Sequence, residues 1–387
     1  MMGSALVAVA AVIFAVGLVS VGNGLVTVLL PVRMTLEQLP TVAIGPVVSS
    51  YTIGFFAGGI IANRLIRRVG HVRAFCGGAG LLVVFTLAFT IDVSVPLWFV
   101  LRGLSGFTGA LLFIVMESWL NDVAPNERRG RIMAFYFIAQ RSMAAVGALL
   151  FAAGNPMGHG LFMLAACAYA LCLVPLALNT SAAPTVPTAR GLELGWLWRL
   201  SPVAVVGAFA SGIINNGLVG IGPVYAQQVG LGGPELGWFN ASFQIASVLL
   251  QYPLGRLSDG RDRRRVLLVT VLVSAVLALA VALVRPESTL LLICTVGLFG
   301  GINYAIYPLC AAHAADRSDK EHMVAVSGGL LLAWSVGATL SPMIGTMAMQ
   351  WLGPAGLFWY LAVACATFAA YIAWRIGVRP PPPKVSA

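Results

Sequence analysis

Twelve apolar runs, each long enough to cross a bilayer, fill nearly all of this chain. They lie at about 5–30, 41–66, 72–91, 96–121, 130–153 and 160–178, then at about 202–227, 236–257, 265–284, 288–312, 323–349 and 355–375. A spanning helix needs roughly 20 apolar residues. The runs therefore predict an all-α polytopic membrane protein with twelve transmembrane helices. Composition agrees, because only 9% of residues are charged, against about 25% in a soluble domain. The shortage extends along the whole length, which excludes a soluble domain on one anchor. The first run has no basic region before it and exceeds the roughly 7–15 apolar residues of a cleaved leader, so it reads as the first span. Between the sixth and seventh runs, "NTSAAPTVPTARGLELG" is rich in Pro, Ser and Thr and reads as a linker. The expected organisation is a six-helix bundle over 1–178, a cytoplasmic linker over 179–200, a second six-helix bundle over 201–375 and a tail over 376–387.

The basic residues set the orientation. Nineteen of the 23 Lys and Arg fall after even-numbered spans or in the C-terminal tail. Arg33 and Arg285 lie on the opposite side, and Arg102 and Arg141 fall inside spans. Such asymmetry places both termini and the even loops in the cytoplasm. It also accounts for the net charge of +10 by topology and attraction to anionic lipid, without nucleic acid. The six cysteines sit in apolar runs without metal-ligand spacing and read as small core residues. No Walker loop and no G-x-S-x-G occurs, so neither ATP-driven transport nor an enzyme is expected, and no cofactor.

Three matches at similar offsets divide the chain into two copies of one unit. "NGLV" at Asn23–Val26 recurs at Asn216–Val219. "GGIIANRLIRRVGHVR" from Gly58 parallels "PLGRLSDGRDRRRV" from Pro253. "AVGALL" from Ala145 parallels "SVGATL" from Ser335. Two parallel six-helix repeats form a transporter architecture with the substrate site near the midplane.

With these motifs the chain resembles the major facilitator superfamily over essentially its full length. That family carries Gly-x-x-x-Asp-Arg-x-Gly-Arg-Arg after the second span. The copy after the eighth span is the better one here, with Gly255, Asp259, Arg261 and Arg263. In the first copy Asn63 replaces the Asp, and Gly70 and Arg73 come one turn late. Arg102-x-x-x-Gly106-x-x-x-Ala110 is similar to the family's fourth-helix motif, linked in several members to proton coupling. The antiporter signature of the fifth helix is missing; only Gly337-x-x-x-Ser341-Pro342-x-x-Gly345 comes near it. "ESWLND…RRGRIMAFY" and "YPLCAAHAAD" resemble a YcaD-like bacterial subgroup. The resemblance implies a transporter of the bacterial inner membrane, working by alternating access. It also implies a charge latch at the cytoplasmic face built from Asp122, Arg129 and the loop arginines Arg68 and Arg73, echoed by Asp259 and Arg263.

Glu117 is the costliest residue of the first half. An ionised carboxylate inside a span costs several kcal/mol unless paired or hydrated. Topology offers Arg141 as its partner. Two roles are open: a fixed pair joining the fourth and fifth spans, or a carboxylate that takes up and releases a proton as its surroundings dry and wet. Arg102 is either a third member of this proton-coupling set or a scaffold bonded to the first span. Two buried cations against one carboxylate favour an anionic solute. Asn240, Gln244, Ser247 and Gln251 recur at helical spacing on one face of the eighth span. With Asn215, Asn216, Tyr304 and Tyr307, and Asn23 and Gln140 in the first half, they are candidate substrate contacts, or interhelical hydrogen bonds worth about 0.6 kcal/mol each. His313 and His322 are expected at the cytoplasmic edge.

The expected function is secondary transport of a small polar or anionic organic solute, coupled to protons, by a monomer among membrane lipids. Competing readings are a multidrug or metabolite exporter, and a lipid-handling or non-transporting protein on the same scaffold. An exporter of cations should carry acid in its cavity rather than surplus base. Reporter fusions at Ser181 and at the C-terminus should report cytoplasm, and fusions at Asn155 and Pro286 periplasm. A periplasmic C-terminus would defeat the repeat argument, because parallel halves share one orientation.

Overall fold

In lipid, every backbone N–H and C=O must find its partner within the protein, and a helix achieves this within one segment. A computed structural model of the chain describes residues 2–123, 129–177, 194–258, 261–283, 288–318 and 322–378. Every assigned element among them is helical. These are α1 (Met2–Leu36), α2 (Thr41–Val69), α3 (His71–Ala88), α4 (Val95–Val123), α5 (Arg129–Leu150), α6 (Gly160–Leu171), α7 (Leu173–Ala177) and α8 (Leu194–Leu200). There follow α9 (Pro202–Gln228), α10 (Gly233–Ser258), α11 (Arg263–Leu283), α12 (Thr289–Asn303), α13 (Ile306–Ala315), α14 (Met323–Leu352) and α15 (Gly356–Val378).

Ten spans among the described residues are long and apolar enough to cross a membrane, with α12 and α13 together forming one, Thr289–Ala315. The sixth expected span is the shorter apolar stretch Gly160–Pro175. The eighth is α10, whose 26 residues are diluted by Glu235, Asn240, Gln244, Gln251 and Arg256. Each of the twelve expected runs is thus helical, and the two outside the ten are set apart by length and by polarity.

Three details differ from the expected boundaries. α1 continues six residues past 30, through Pro31. The Thr35 hydroxyl donates to the Pro31 carbonyl at 2.9 Å and Arg33 pairs with Glu37 at 2.7 Å, so the last turn supports itself. α8 occupies the end of the expected linker. The tenth span is broken between α12 and α13, where Tyr304 N–H reaches back to Gly300 O and Ala305 N–H to Ile302 O. Pro308, just beyond, brings no N–H of its own to the ladder.

By contacts the chain divides into two compact units, Met1–Ala189 with Val219–Ile245, and Arg190–Leu218 with Ala246–Ala387. In the first, α1 packs against α5 and α6, α2 against α4, and α3 against α4 and α6. In the second, α11 packs against α15 and α12, and α14 against α15. Three of the six cysteines, Cys76, Cys167 and Cys294, are exposed rather than in the core. An apolar thiol is at home on a surface turned to lipid.

The repeat is visible in the helix contacts themselves. Gly147 of α5 lies against the Val21 carbonyl of α1, and Gly24 of α1 against the Ala144 carbonyl of α5. In the second unit Gly337 of α14 lies against the Phe209 carbonyl of α9, and Gly212 of α9 against the Trp334 carbonyl of α14. Gly147 and Gly337 are the glycines of "AVGALL" and "SVGATL", so that match is a structural equivalence. The "NGLV" match is not one. Gly212, and not Gly217, takes the place of Gly24, while Gly217 faces Ser341 and Leu361. A four-residue run matches easily by chance, whereas a backbone contact does not.

Small residues at such crossings let helices approach where no hydrophobic force distinguishes a neighbour from lipid. Gly147→Ala and Gly337→Ala should each destabilise by about 1–3 kcal/mol through overpacking. Gly59→Ala, where an added Cβ meets open space, should gain about 0.5–1 kcal/mol of helix propensity. Thermal unfolding in detergent decides; equal melting temperatures for all three would remove the crossing argument.

Candidate functional site

Arg102 lies two turns into α4 and is only 5% exposed. Its Nη2 donates to Thr27 Oγ1 of α1 at 3.1 Å, and its guanidinium stands 4.3 Å from the centre of the Tyr51 ring. The fourth-helix motif explains this locally, since Gly106 lies against the Tyr51 carbonyl and lets α2 come close. Among the described residues no carboxylate is within ion-pair reach of Arg102. Its charge is met by an aromatic face and a hydroxyl, and a desolvated cation–π contact is worth about 2 kcal/mol or more.

Glu117 is half-buried at the rim of the first unit's core, beside Met116, Trp119 and Leu120. The expected pair with Arg141 is not formed. The Tyr136 hydroxyl donates to Glu117 Oε1 instead, at 3.4 Å. Helix rise explains the substitution. Glu117 is six residues from the end of α4 and Tyr136 seven from the start of α5, so the two lie level. Arg141 lies five residues further, about 7 Å deeper. It donates to Gln244 Oε1 at 3.4 Å.

The neutral candidates separate into several kinds. Asn216 donates to the Ala338 carbonyl, fastening α9 to α14. Asn240 is buried and donates back to Leu236 O at 2.8 Å. Ser247 is buried but Gln251 is exposed, so the polar stripe of α10 does not share one environment. Asn23 and Gln140 are half-buried, as are Tyr304 and Tyr307 at the break of the tenth span. Asn215 is buried with no partner for its Oδ1.

At the helix ends the expected latch is divided. Asp122, Arg68 and Arg73 are exposed, and Asp122 forms no ion pair with either arginine. The Arg129 side chain and Asp259 lie outside the described residues. Arg263 makes a two-point contact with Asp316, at 2.5 and 3.4 Å, and donates to Ser258 Oγ at 2.9 Å. This ties the start of α11 to the end of α13. Beside it Arg264, buried, pairs with Asp262 at 3.0 Å. His313 is also buried rather than at an open edge, and Arg317 Nη1 lies 2.9 Å from its Nδ1.

The sequence reading missed Tyr136, Tyr51, Thr27 and Asp316. Asp316 had a signal, as the acid closing the tenth span just as Asp122 closes the fourth. The others had none, because a tyrosine or threonine in an apolar run is indistinguishable from core.

A multi-pass bundle of apolar helices, built twice on one set of close crossings and holding isolated charges, is the architecture of a membrane transporter. The chain belongs to the major facilitator superfamily, whose model matches residues 12–234 and 204–387. Among curated proteins it is 26% identical over 368 residues to the MFS-type transporter YcaD of Salmonella heidelberg (strain SL476), covering 94% of this chain and 95% of that one. The counterpart in Salmonella typhi is 25% identical over the same length. Among solved structures it resembles the nucleoside transporter NupG, with TM-score 0.81 and 11% identity, over 95% of this chain and 98% of that one. It also resembles a bacterial homolog of the human lysosomal transporter Spinster in its inward-facing, occupied conformation. There the TM-score is 0.77 at 15% identity, over 95% of each chain. The chain is therefore a multi-pass membrane protein of a transporter family that binds small molecules and is not an enzyme class.

Burial alone would raise the Asp262 carboxyl, but hydrogen bonds from the Arg264 side chain and backbone, with its charge, hold it below the ordinary range. A depressed carboxyl contributes stability above its unfolded value, about 3.9, and loses it as pH falls through the folded one. The melting difference between wild type and Arg264→Gln should therefore be constant from about pH 5.5 to 8. A difference that shrinks within that window would mean that Asp262 is not the partner that matters.

Proposed function

We propose that the protein is a proton-coupled secondary transporter of a small polar or anionic organic solute. It works by alternating access in the bacterial inner membrane, with both termini cytoplasmic. The observation that carries the reading is that, among the described residues, Glu117 is held by the Tyr136 hydroxyl and forms no ion pair. A carboxylate held by one tyrosine at the rim of an apolar core costs several kcal/mol when ionised and far less when protonated. Its charge state is then tied to whether water reaches it, and that is what a coupling residue requires. Arg102, held by the Thr27 hydroxyl and the Tyr51 ring, would offer positive charge to an anion or a substrate carboxylate, with Arg141 a further cation of the same unit. Asn23, Gln140, Asn240, Gln244, Tyr304 and Tyr307 would supply hydrogen bonds. The Arg263–Asp316 clasp would be a gate contact, closed in one access state and open in the other, with Asp122 a second gate element of the cytoplasmic face.

A thermal-shift screen of the purified protein against metabolites at two pH values would find a ligand. In liposomes, Glu117→Gln should then abolish accumulation driven by a proton gradient while counterflow of the same solute persists, because exchange needs no net proton movement. Its melting temperature should stay close to wild type, since the mutation breaks no ion pair. Undiminished accumulation by Glu117→Gln would overturn the coupling role.

A further inference from the structure

A proline inside a helix removes one rung of the ladder, because it brings no N–H to the carbonyl four residues back. In α14 the proline is Pro342 and the carbonyl is that of Ala338. In lipid no water is at hand to take over a freed carbonyl, so a neighbouring helix must. Asn216 of α9 does so, its Nδ2 donating to Ala338 O. The exchange runs both ways. Ser341, buried and next before the proline, donates its hydroxyl to the Ile213 carbonyl of α9 and accepts from the Tyr360 hydroxyl of α15 at 3.3 Å. Gly217 leaves room for it, since a Cβ there would stand 2.7 Å from Ser341 Oγ. One turn on, Thr346 donates back to the Pro342 carbonyl at 3.0 Å, a local bond of the kind that often bends a helix.

The first unit is an internal control. Along α9 and α14 the contacts advance together, turn by turn. Gly337 lies on the Phe209 carbonyl, and four residues on in each helix Ser341 meets the Ile213 carbonyl. Gly212 lies on the Trp334 carbonyl, and four residues on in each helix Asn216 meets the Ala338 carbonyl. The crossing of α1 and α5 starts from the matching glycines, Gly24 and Gly147. Four residues on from these come Val28 and Phe151, both buried and apolar, and the place of the proline is taken by Ala152. Where no carbonyl is freed, no donor is supplied. The asparagine and the proline are therefore two halves of one device, and not two separate packing choices.

We propose that residues 338–342 of α14 form a hinge that α9 holds in one position. Asn216 stands in for the missing N–H, and Ser341 fastens the hinge back to α9. Asn216 is thus a positioning residue and not a substrate contact. Release of this clasp lets the C-terminal part of α14 swing against α9. Its use in alternating access rests on the transport reading, whereas the clasp is measured on the purified protein without any solute. The variants are Asn216→Val and Pro342→Ala, each installing the residue that the first unit carries. Asn216→Val alone strands the Ala338 carbonyl and should lower the melting temperature. In the Pro342→Ala background residue 342 again has an N–H, and the same change should cost about half that shift or less. Hydrogen exchange of the amides over 338–346, read by mass spectrometry, should quicken in Asn216→Val and slow in both proteins carrying Pro342→Ala. Asn215→Val, one residue away, is the control and should cost the same in both backgrounds. If Asn216→Val alone does not fold, the double variant should still fold, and its failure to do so would overturn the clasp. Equal losses for Asn216→Val in both backgrounds, or rescue of Asn215→Val as well, would overturn it too. Unchanged exchange over 338–346 in Asn216→Val would overturn the hinge.

Discussion

Satisfaction of the backbone inside each helix is the condition on which the rest of this structure stands. Once every N–H and C=O is bonded within its own segment, a helix in lipid has no hydrophobic reason to touch another. What remains is dispersion, and dispersion needs atoms in contact. The glycines of α1 and α5, and of α9 and α14, supply contact by bringing backbone against side-chain-free backbone. That the same pair of crossings occurs in both units is why the repeat survives as contacts even where letters have drifted.

Charge is treated in two ways, and the boundary between them follows depth. At the helix ends, Arg263 and Asp316, and Arg264 and Asp262, are paired directly. Water keeps the worth of the more exposed Arg263–Asp316 pair low, about 0–1 kcal/mol, so that contact breaks and re-forms cheaply. Deeper, Arg102 and Glu117 meet an aromatic ring and hydroxyls. A deep ion pair would resist separation by about 3–5 kcal/mol. Neutral partners hold a charge in place without locking it there.

The helices, and the paired glycine crossings behind one of the sequence matches, were legible because each depends on properties that sequence states directly: run length and spacing. The broken tenth span was not, since apolar residues continue through Tyr304 and Ala305 and only Pro308 hints at it. The Glu117–Arg141 pairing failed for want of a depth comparison; counting from the helix ends puts Tyr136, not Arg141, opposite Glu117. The polar stripe of α10 was legible as a pattern, yet Asn240 bonds its own helix and Gln251 faces outward, because spacing assigns a face and not a partner. The latch drawn by resemblance through Asp122 could not show that Arg263 pairs with Asp316, because that contact depends on the end of α13 returning to the start of α11.

Groups left without a strong partner are of two kinds. Arg102 and Glu117 in the first unit are full charges, cushioned by neutral groups. Asn215 and Asn303 in the second carry neutral amide oxygens with no donor. A full charge in a dry site is dear and is relieved by losing or gaining a proton or by meeting an ion of opposite sign. A lone amide oxygen is cheaper and has no proton to exchange, so it is relieved only by a donor or a cation. The chemistry open to each group follows from this difference: a carboxyl can change its charge state, whereas an amide oxygen can only accept a donor or meet a cation.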